Sequence, residues 1–132
     1  MGRSLKNYLL DSVILIDHFN GRTEATRFLL ENHKSAAISV ITRAEVLTGF
    51  DPVNEVQAKA FLNLFQTHML TEEDADLAAS LRREHRWKLP DALQAAVAIN
   101  RQLTLATRNS KDFDPARHAF VEIPYRLNVN QS

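Results

Sequence analysis

Short apolar segments alternate along this 132-residue chain with longer segments that have helical periodicity. The apolar segments are rich in Leu, Ile, Val and Ala, which is typical of strands buried on both faces of a sheet. They predict strands over residues 8–11, 36–40, 67–70, 103–106 and 120–123. The last of these is expected to be an edge strand.

The intervening segments predict six helices because apolar residues recur on one face of each. Several begin at residue types that cap a helix N-terminus or occupy its first turn. The predicted starts are Ser12, Thr23, Thr42, Asp51-Pro52, Thr71 and Asp91, the last after a break at Leu89-Pro90. Strands alternating with helices predict a three-layer α/β/α fold with a central, mostly parallel sheet. No linker interrupts the pattern, so residues 1–132 are expected to form one domain.

Composition and charge restrict the cellular compartment and the kinds of site that the protein can have. There is no cysteine, which excludes disulfides and thiolate metal sites. No apolar run is long enough to span a membrane and no signal-peptide pattern is present, so we expect a cytoplasmic protein. The net charge is zero, but the basic residues concentrate in 82–88 and beyond, while acidic residues are common in 72–76. A basic face is therefore compatible with the neutral total.

Four acidic residues fall where an α/β sheet would bring them together. Sites in such sheets form outside the carboxyl ends of the strands, at the point where the strand order reverses. One acid follows the first strand, one lies a helical turn beyond the second, one begins the Ala-rich helix, and one follows the strand at 103–106. These are Asp11, Glu45, Asp91 and Asp112, with Thr107 and Asn109 close to the last.

Oxygen ligands of this kind suit Mg²⁺ or Mn²⁺. Carboxylates at close range repel one another unless a cation lies between them or one is protonated. A divalent cation in such a site can activate water for phosphodiester hydrolysis.

Each of these residues also has a plain structural interpretation. Asp11 can cap the helix after it, Asp91 can be a first-turn acid, Glu45 a surface acid, and Asp112 a turn residue with Asn109. The basic run at 82–88 can be a solvated helix face. Surface or capping roles are expected for the remaining acids considered, which are Asp17, Glu72, Glu73, Asp74 and Asp76. Periodicity alone leaves these alternatives open.

The chain resembles the PIN-domain ribonucleases, and most closely the VapC-like toxins of prokaryotic toxin–antitoxin modules. Four stretches carry the resemblance, in the family's order and over most of the chain. They are residues 10–17, 39–49, 89–96 and 105–113.

The resemblance implies that Asp11, Glu45 and Asp91 are the core acids around Mg²⁺ or Mn²⁺, with Asp112 as a fourth. Asp11 and Asp91 are expected to bind the metal directly, and Glu45 to bind a metal-bound water or to orient the nucleophile. Asp112 is expected to complete the acidic site, through water or a second metal. Ser12, Thr107 and Asn109 match positions that line the pocket. The chain departs from the family at Val13, where a small polar residue is usual, and at Val97, where Thr is common.

The function expected from these residues is Mg²⁺-dependent endoribonucleolytic cleavage by the toxin of a toxin–antitoxin pair. The expected partners are an RNA substrate, an antitoxin protein and a second copy of the chain in a homodimer. Contacts to RNA phosphates are expected from basic residues around the acidic centre. These are Arg82, Arg83, Arg86, Lys88 and Arg108.

Two other functions remain open at this point. A catalytically weak module of the same fold, which only binds RNA or protein, is suggested by Val13. A receiver-type phosphorelay domain also carries acids at strand ends. It would need a phospho-accepting Asp after a middle strand, and the strand at 67–70 ends in Leu70 with no such residue.

Overall fold

A computed structural model describes residues 6–127 of the chain. The ends of the predicted domain, residues 1–5 and 128–132, lie outside this range. The elements in chain order are β1 (Tyr8–Leu10), α1 (Ser12–Phe19), α2 (Thr23–Asn32), β2 (Ala36–Ser39), α3 (Val40–Thr48), α4 (Pro52–Leu62), β3 (Gln66–His68), α5 (Glu72–His85), α6 (Leu89–Asn100), β4 (Thr104–Ala106) and β5 (Val121–Glu122). A short 3₁₀ turn, His33–Ser35, joins α2 to β2.

The strands form one sheet in the order β3-β2-β1-β4-β5, and every neighbouring pair is parallel. The predicted parallel sheet between helical layers is confirmed. The chain passes from β1 to β2 on one side, and later fills the other side with β4 and β5. The strand order therefore reverses between β1 and β4, which is where α/β sheets form their sites.

Both faces of the sheet are covered because successive side chains of a strand point to opposite faces. Leu10 packs in a cluster with residues from α1, α2, α3 and α4, including Ile14 and Leu62. Leu9 packs in a second cluster with residues from α5 and α6, including Ala95. No helix within residues 6–127 is long and apolar enough to cross a membrane.

Several predicted boundaries shift by a few residues. Helix α3 begins at Val40 rather than Thr42, because the Ser39 hydroxyl accepts hydrogen bonds from the Ile41 and Thr42 N–H groups and caps the helix there. The predicted break at Leu89-Pro90 is wrong, because both residues belong to the first turn of α6. Proline costs nothing there, since a first-turn N–H has no partner within the helix.

Two acids that were expected to have surface or capping roles are buried. Asp74 does cap α5, through a reciprocal pair of hydrogen bonds with Thr71, but it also forms an ion pair with Arg101 at 2.9 Å. Asp17 is 4% exposed and does not cap a helix. It accepts two hydrogen bonds from the Arg108 guanidinium, at 2.7 and 2.9 Å, and one from the Tyr125 hydroxyl at 2.7 Å. The surface interpretation of Asp17 is therefore wrong.

Candidate active site

Asp11 stands where the strand order reverses, directly after β1. Its backbone N–H donates to the Ala106 carbonyl at 2.9 Å, so the end of β1 is fixed against the end of β4. Its side chain caps α1 by accepting the Ser12 N–H at 2.9 Å, and the same carboxylate accepts the Thr107 hydroxyl at 2.7 Å. The capping interpretation and the site interpretation of Asp11 thus describe the same buried carboxylate.

The loop after β4 extends this contact to a second acid. The Thr107 hydroxyl that donates to Asp11 also accepts the Asn109 N–H at 3.0 Å. The Asn109 amide donates to the Asp112 carboxylate at 3.1 Å, and the Trp87 indole N–H donates to the Asp112 carbonyl at 3.1 Å. A continuous set of hydrogen bonds therefore runs from Asp11 to Asp112 and includes both predicted pocket residues of this loop.

Asp91 lies in the first turn of α6 and is affected by the charge of every other predicted acid. Burial raises the pKa of its carboxyl to about 6, and the carboxylates of Asp11, Asp112 and Glu45 add to the rise. Lys88 opposes it. The four acids thus share one electrostatic environment, although they come from separate elements.

The pKa of Asp11 is also affected by opposing influences. Burial raises the pKa of its carboxyl and the Glu45 carboxylate contributes in the same direction, while hydrogen bonds from Thr107, the Ser12 N–H and Gln94 oppose the rise. Glu45 itself is exposed on α3 and lines a hollow of about 300 Å³ together with Leu89 and Leu93. Glu45 is therefore the most solvent-accessible of the four acids.

Three buried polar side chains beside the acids were not predicted as site residues. Ser39 donates to the Gln94 carbonyl oxygen at 2.7 Å, and the Gln94 amide donates to Thr42 at 2.5 Å. The Thr42 hydroxyl donates to the Leu10 carbonyl at 3.1 Å. A glutamine among the alanines of the most apolar helix was the available signal, because a buried amide requires partners.

The basic residues predicted to contact RNA lie in different settings. Arg82, Arg83 and Arg86 are exposed and line a hollow of about 480 Å³. Leu89 lines both this hollow and the one beside Glu45. Lys88 is exposed at the start of α6. Arg108 forms an ion pair with Asp17. Contact with RNA stays a prediction for all five residues.

Ser12 and Val13 occupy the first turn of α1. Ser12 is partly buried and contributes its backbone N–H to Asp11. Val13 is also partly buried and packs against the apolar cluster beneath the helix. A larger hollow, of about 580 Å³, lies at the opposite end of the strands beside Tyr8, Ala36 and Gln66. It contains none of the four acids, so it is separate from this site.

The donor set fits a hard divalent cation in its chemistry. All four acids offer oxygen only, and their mutual repulsion would be relieved by a positive charge among them. Within residues 6–127, however, no three Asp, Glu or His side chains are already arranged to hold a metal ion. Mg²⁺ commonly uses only one or two protein carboxylates and completes its shell with water and substrate. We therefore treat Asp11 and Asp91 as the candidate ligands.

Comparison with known proteins identifies the family of the chain. Residues 8–118 match the PIN domain family. Ribonuclease VapC10 of Mycobacterium tuberculosis H37Rv is 35% identical over 108 residues, which cover 76% of this chain and 81% of that protein. Ribonuclease VapC19 of the same strain is 30% identical over 113 residues, covering 80% of this chain and 90% of that protein.

Solved structures of toxin–antitoxin proteins and related proteins also match the chain over most of its length. A chain of a toxin–antitoxin complex from Klebsiella pneumoniae superposes with a TM-score of 0.85 and 37% identity, over 92% of this chain and 100% of that one. A chain of FitAcB from Neisseria gonorrhoeae gives a TM-score of 0.75 over 91% and 99% of the two chains, and at 23% identity it supports the fold alone. The receiver-type alternative is therefore set aside. This chain belongs to the PIN domain family, among its VapC-like members.

Proposed function

We propose that this protein is a Mg²⁺-dependent endoribonuclease that hydrolyses RNA phosphodiester bonds, with Mn²⁺ as an alternative cation. The observation that carries the proposal is the convergence of four acids: burial raises the pKa of Asp91 to about 6, and the carboxylates of Asp11, Asp112 and Glu45 add to the rise. Such convergence at a strand-order reversal is typical of a functional site. The curated relatives named ribonucleases support the choice of RNA as substrate.

A bound divalent cation would activate water and stabilise the negative charge that develops on the phosphate. Asp11 and Asp91 would hold it, since both are fixed by well-formed elements beside the reversal point. Glu45 is exposed to solvent, so it can accept a hydrogen bond from the attacking water and orient it. Asp112 would complete the acidic centre from the loop after β4.

The basic hollow at Arg82, Arg83 and Arg86 gives the substrate an attachment point next to the acids. Arginine side chains bind phosphate groups through charge-assisted hydrogen bonds, without reading sequence. Leu89 borders both this hollow and the one beside Glu45, so an RNA backbone can extend from one to the other. An unpaired RNA segment fits this path better than a duplex, because its backbone can enter a cleft.

We further propose that the protein is the toxin of a cytoplasmic toxin–antitoxin pair and forms a homodimer. The structural neighbour from Klebsiella pneumoniae is described as a toxin–antitoxin complex, and it matches this chain over nearly its whole length. The expected antitoxin is a small protein that binds near the acidic site and blocks it.

The test is incubation of the purified protein with total cellular RNA, with Mg²⁺ or with EDTA, followed by sequencing of the cut ends. Asp11→Asn and Asp91→Asn should each reduce cleavage at least ~100-fold, because each removes a charged ligand. Asp76→Asn is the matched control, since Asp76 is an exposed acid on α5 outside the site. Circular dichroism verifies that all variants fold. Undiminished cleavage by both site variants, or in EDTA, contradicts the proposal.

A second candidate is a module of this fold that binds RNA or protein without cutting. Val13 favours it, because this side chain packs against the core where relatives are expected to place a polar group beside the acids. The two functions separate in the same experiment. RNA that is retained by the protein but remains intact in Mg²⁺ supports the binding module.

A further inference from the structure

Gln94 is the one polar residue among the buried positions of α6, whose others are Ala92, Ala95, Ala96, Val97 and Ala98. It is 1% exposed. Burying an unpaired amide costs more than a hydrogen bond returns, so a glutamine in this position requires a full set of partners. A leucine or methionine would fill the same space without that requirement. The presence of an amide therefore calls for an explanation beyond packing.

The hydrogen bonds around Gln94 have defined directions. Thr42 has a single hydroxyl hydrogen and donates it to the Leu10 carbonyl, so it accepts from the Gln94 amide nitrogen. The Ser39 hydroxyl accepts two backbone N–H groups and donates to the Gln94 carbonyl oxygen. The Gln94 side chain also lowers the pKa of the Asp11 carboxyl. Within residues 6–127 no buried side-chain polar atom is left without a partner.

These contacts join the three elements that carry the core acids. Gln94 follows Asp91 by one helical turn on α6, and Thr42 precedes Glu45 by one turn on α3, so each pair lies on one side of its helix. Leu10, which Thr42 contacts, directly precedes Asp11. The hydrogen bond from Gln94 to Thr42 joins α6 directly to α3. Gln94 thus links the end of β1, α3 and α6, which carry Asp11, Glu45 and Asp91.

We infer that Gln94 is a positioning residue for the acidic site: its amide holds α6 against α3 and the end of β1, and thereby sets the affinity of the acids for a divalent cation. This inference rests on the proposed function, since it concerns the same acids. Gln94 is not expected to contact the substrate. Its effect is expected on cation binding and on the rate of the chemical step.

The experiment measures Mn²⁺ binding directly, by the electron paramagnetic resonance signal of the free ion, in the full chain and in Gln94→Met. Methionine matches glutamine in length and helix propensity but cannot form the hydrogen bonds. We expect the Kd for Mn²⁺ to rise about 10-fold, the usual effect of removing an outer-shell partner. With RNA, kcat should fall by a similar factor while KM stays within about 2-fold, because the basic hollow is unchanged.

Two further variants separate positioning from a loss of packing. Thr42→Val removes the acceptor of the Gln94 amide, and the double variant with Gln94→Met should weaken Mn²⁺ binding no more than Gln94→Met alone, because both act through one network. Leu62→Val is the stability control, since Leu62 is buried on α4 in the other apolar cluster. It should lower the melting temperature and leave Mn²⁺ binding unchanged.

The outcomes are distinguishable from those of the proposed function. Wild-type protein that binds Mn²⁺ and cleaves RNA, together with a Gln94→Met variant that does both equally well, overturns this inference alone. A loss in Leu62→Val equal to that in Gln94→Met also overturns it, because stability would then be the cause. Wild-type protein that neither binds Mn²⁺ nor cleaves RNA overturns both.

Discussion

Asp91 is an acid whose charge is opposed by its surroundings. Burial and the carboxylates of Asp11, Asp112 and Glu45 raise its pKa to about 6 in the folded chain, from an ordinary value of 3.8. Between these two pH values the folded protein keeps a proton that the unfolded chain has lost, so stability falls as pH rises. This loss of stability is absent below pH 3.8 and complete above about pH 6.

Replacing this acid should therefore stabilise the metal-free protein. We predict that Asp91→Asn raises the free energy of unfolding at pH 7.5 in EDTA by about 1 kcal/mol, a figure reduced for partial solvent screening. The melting temperature should rise by about 3 °C. At pH 3.5 the variant and the wild type should melt together. Thermal unfolding followed by circular dichroism checks both expectations.

Asp76→Asn serves as the comparison for this measurement. Asp76 is exposed on α5, so its replacement should leave the melting temperature unchanged at both pH values. An Asp91→Asn variant that is less stable than the wild type at pH 7.5 would show that the acid is held by attraction rather than opposed by repulsion.

At the level of elements, Asp17 ties together three parts of the chain. It lies on α1, Arg108 lies in the loop after β4, and Tyr125 lies in the segment that follows β5. Thr107, the neighbour of Arg108, holds the Asp11 carboxylate. Asp17 therefore fixes the loop that carries Asn109 and Asp112, and it also anchors the end of the described chain.

We predict that Asp17→Asn lowers the free energy of unfolding by about 2 kcal/mol, because it removes a charge that accepts three hydrogen bonds and leaves Arg108 without its partner. Tyr125→Phe should cost about 1 kcal/mol, since it removes a single hydrogen bond. Urea unfolding at pH 7.5 measures both. Equal losses in the two variants would contradict a role for the Arg108 contact.

The first residues of some helices could be predicted from local sequence alone. Asp51 with Pro52 caps α4, and Thr71 caps α5, as their residue types predicted. Helix α3 begins two residues before the predicted Thr42, because Ser39 belongs both to the end of β2 and to the cap of the helix. A residue with two local roles cannot be assigned to one of them by periodicity.

At the level of the whole molecule, the sheet brings four acids from separate elements to the reversal between β1 and β4. Burial raises the pKa of both Asp11 and Asp91, and the neighbouring carboxylates add to the rise at each. Burying these carboxylates near one another at the reversal between β1 and β4 lowers the stability of the fold. A ligand that supplies positive charge there is expected to stabilise the entire domain by mass action.

We predict that Mg²⁺ at about ten times its Kd raises the free energy of unfolding by about 1.4 kcal/mol and the melting temperature by about 4 °C. NaCl at the same ionic strength should have a much smaller effect, because screening acts on all exposed charges alike. Asp11→Asn and Asp91→Asn should abolish the difference between the two salts. Equal shifts in MgCl₂ and NaCl for the wild type would contradict a specific cation site.

The sequence by itself determined the alternation of strands and helices, the parallel sheet, the caps of α4 and α5, and four candidate acids near the ends of strands. These features are encoded by periodicity and by residue type, which act over a few neighbouring positions. The family resemblance added the order of the site stretches.

Only the tertiary structure decided the contacts between distant parts of the chain. Asp17 and Arg108 are 91 positions apart, and Ser39 and Gln94 are 55 apart. Neither pair could be inferred from local pattern, because the pairing depends on the strand order β3-β2-β1-β4-β5. The same order buries Asp17, gives Gln94 its partners and sets the charge conflict at Asp91. Periodicity specifies which face of an element is buried, but not which other element covers it.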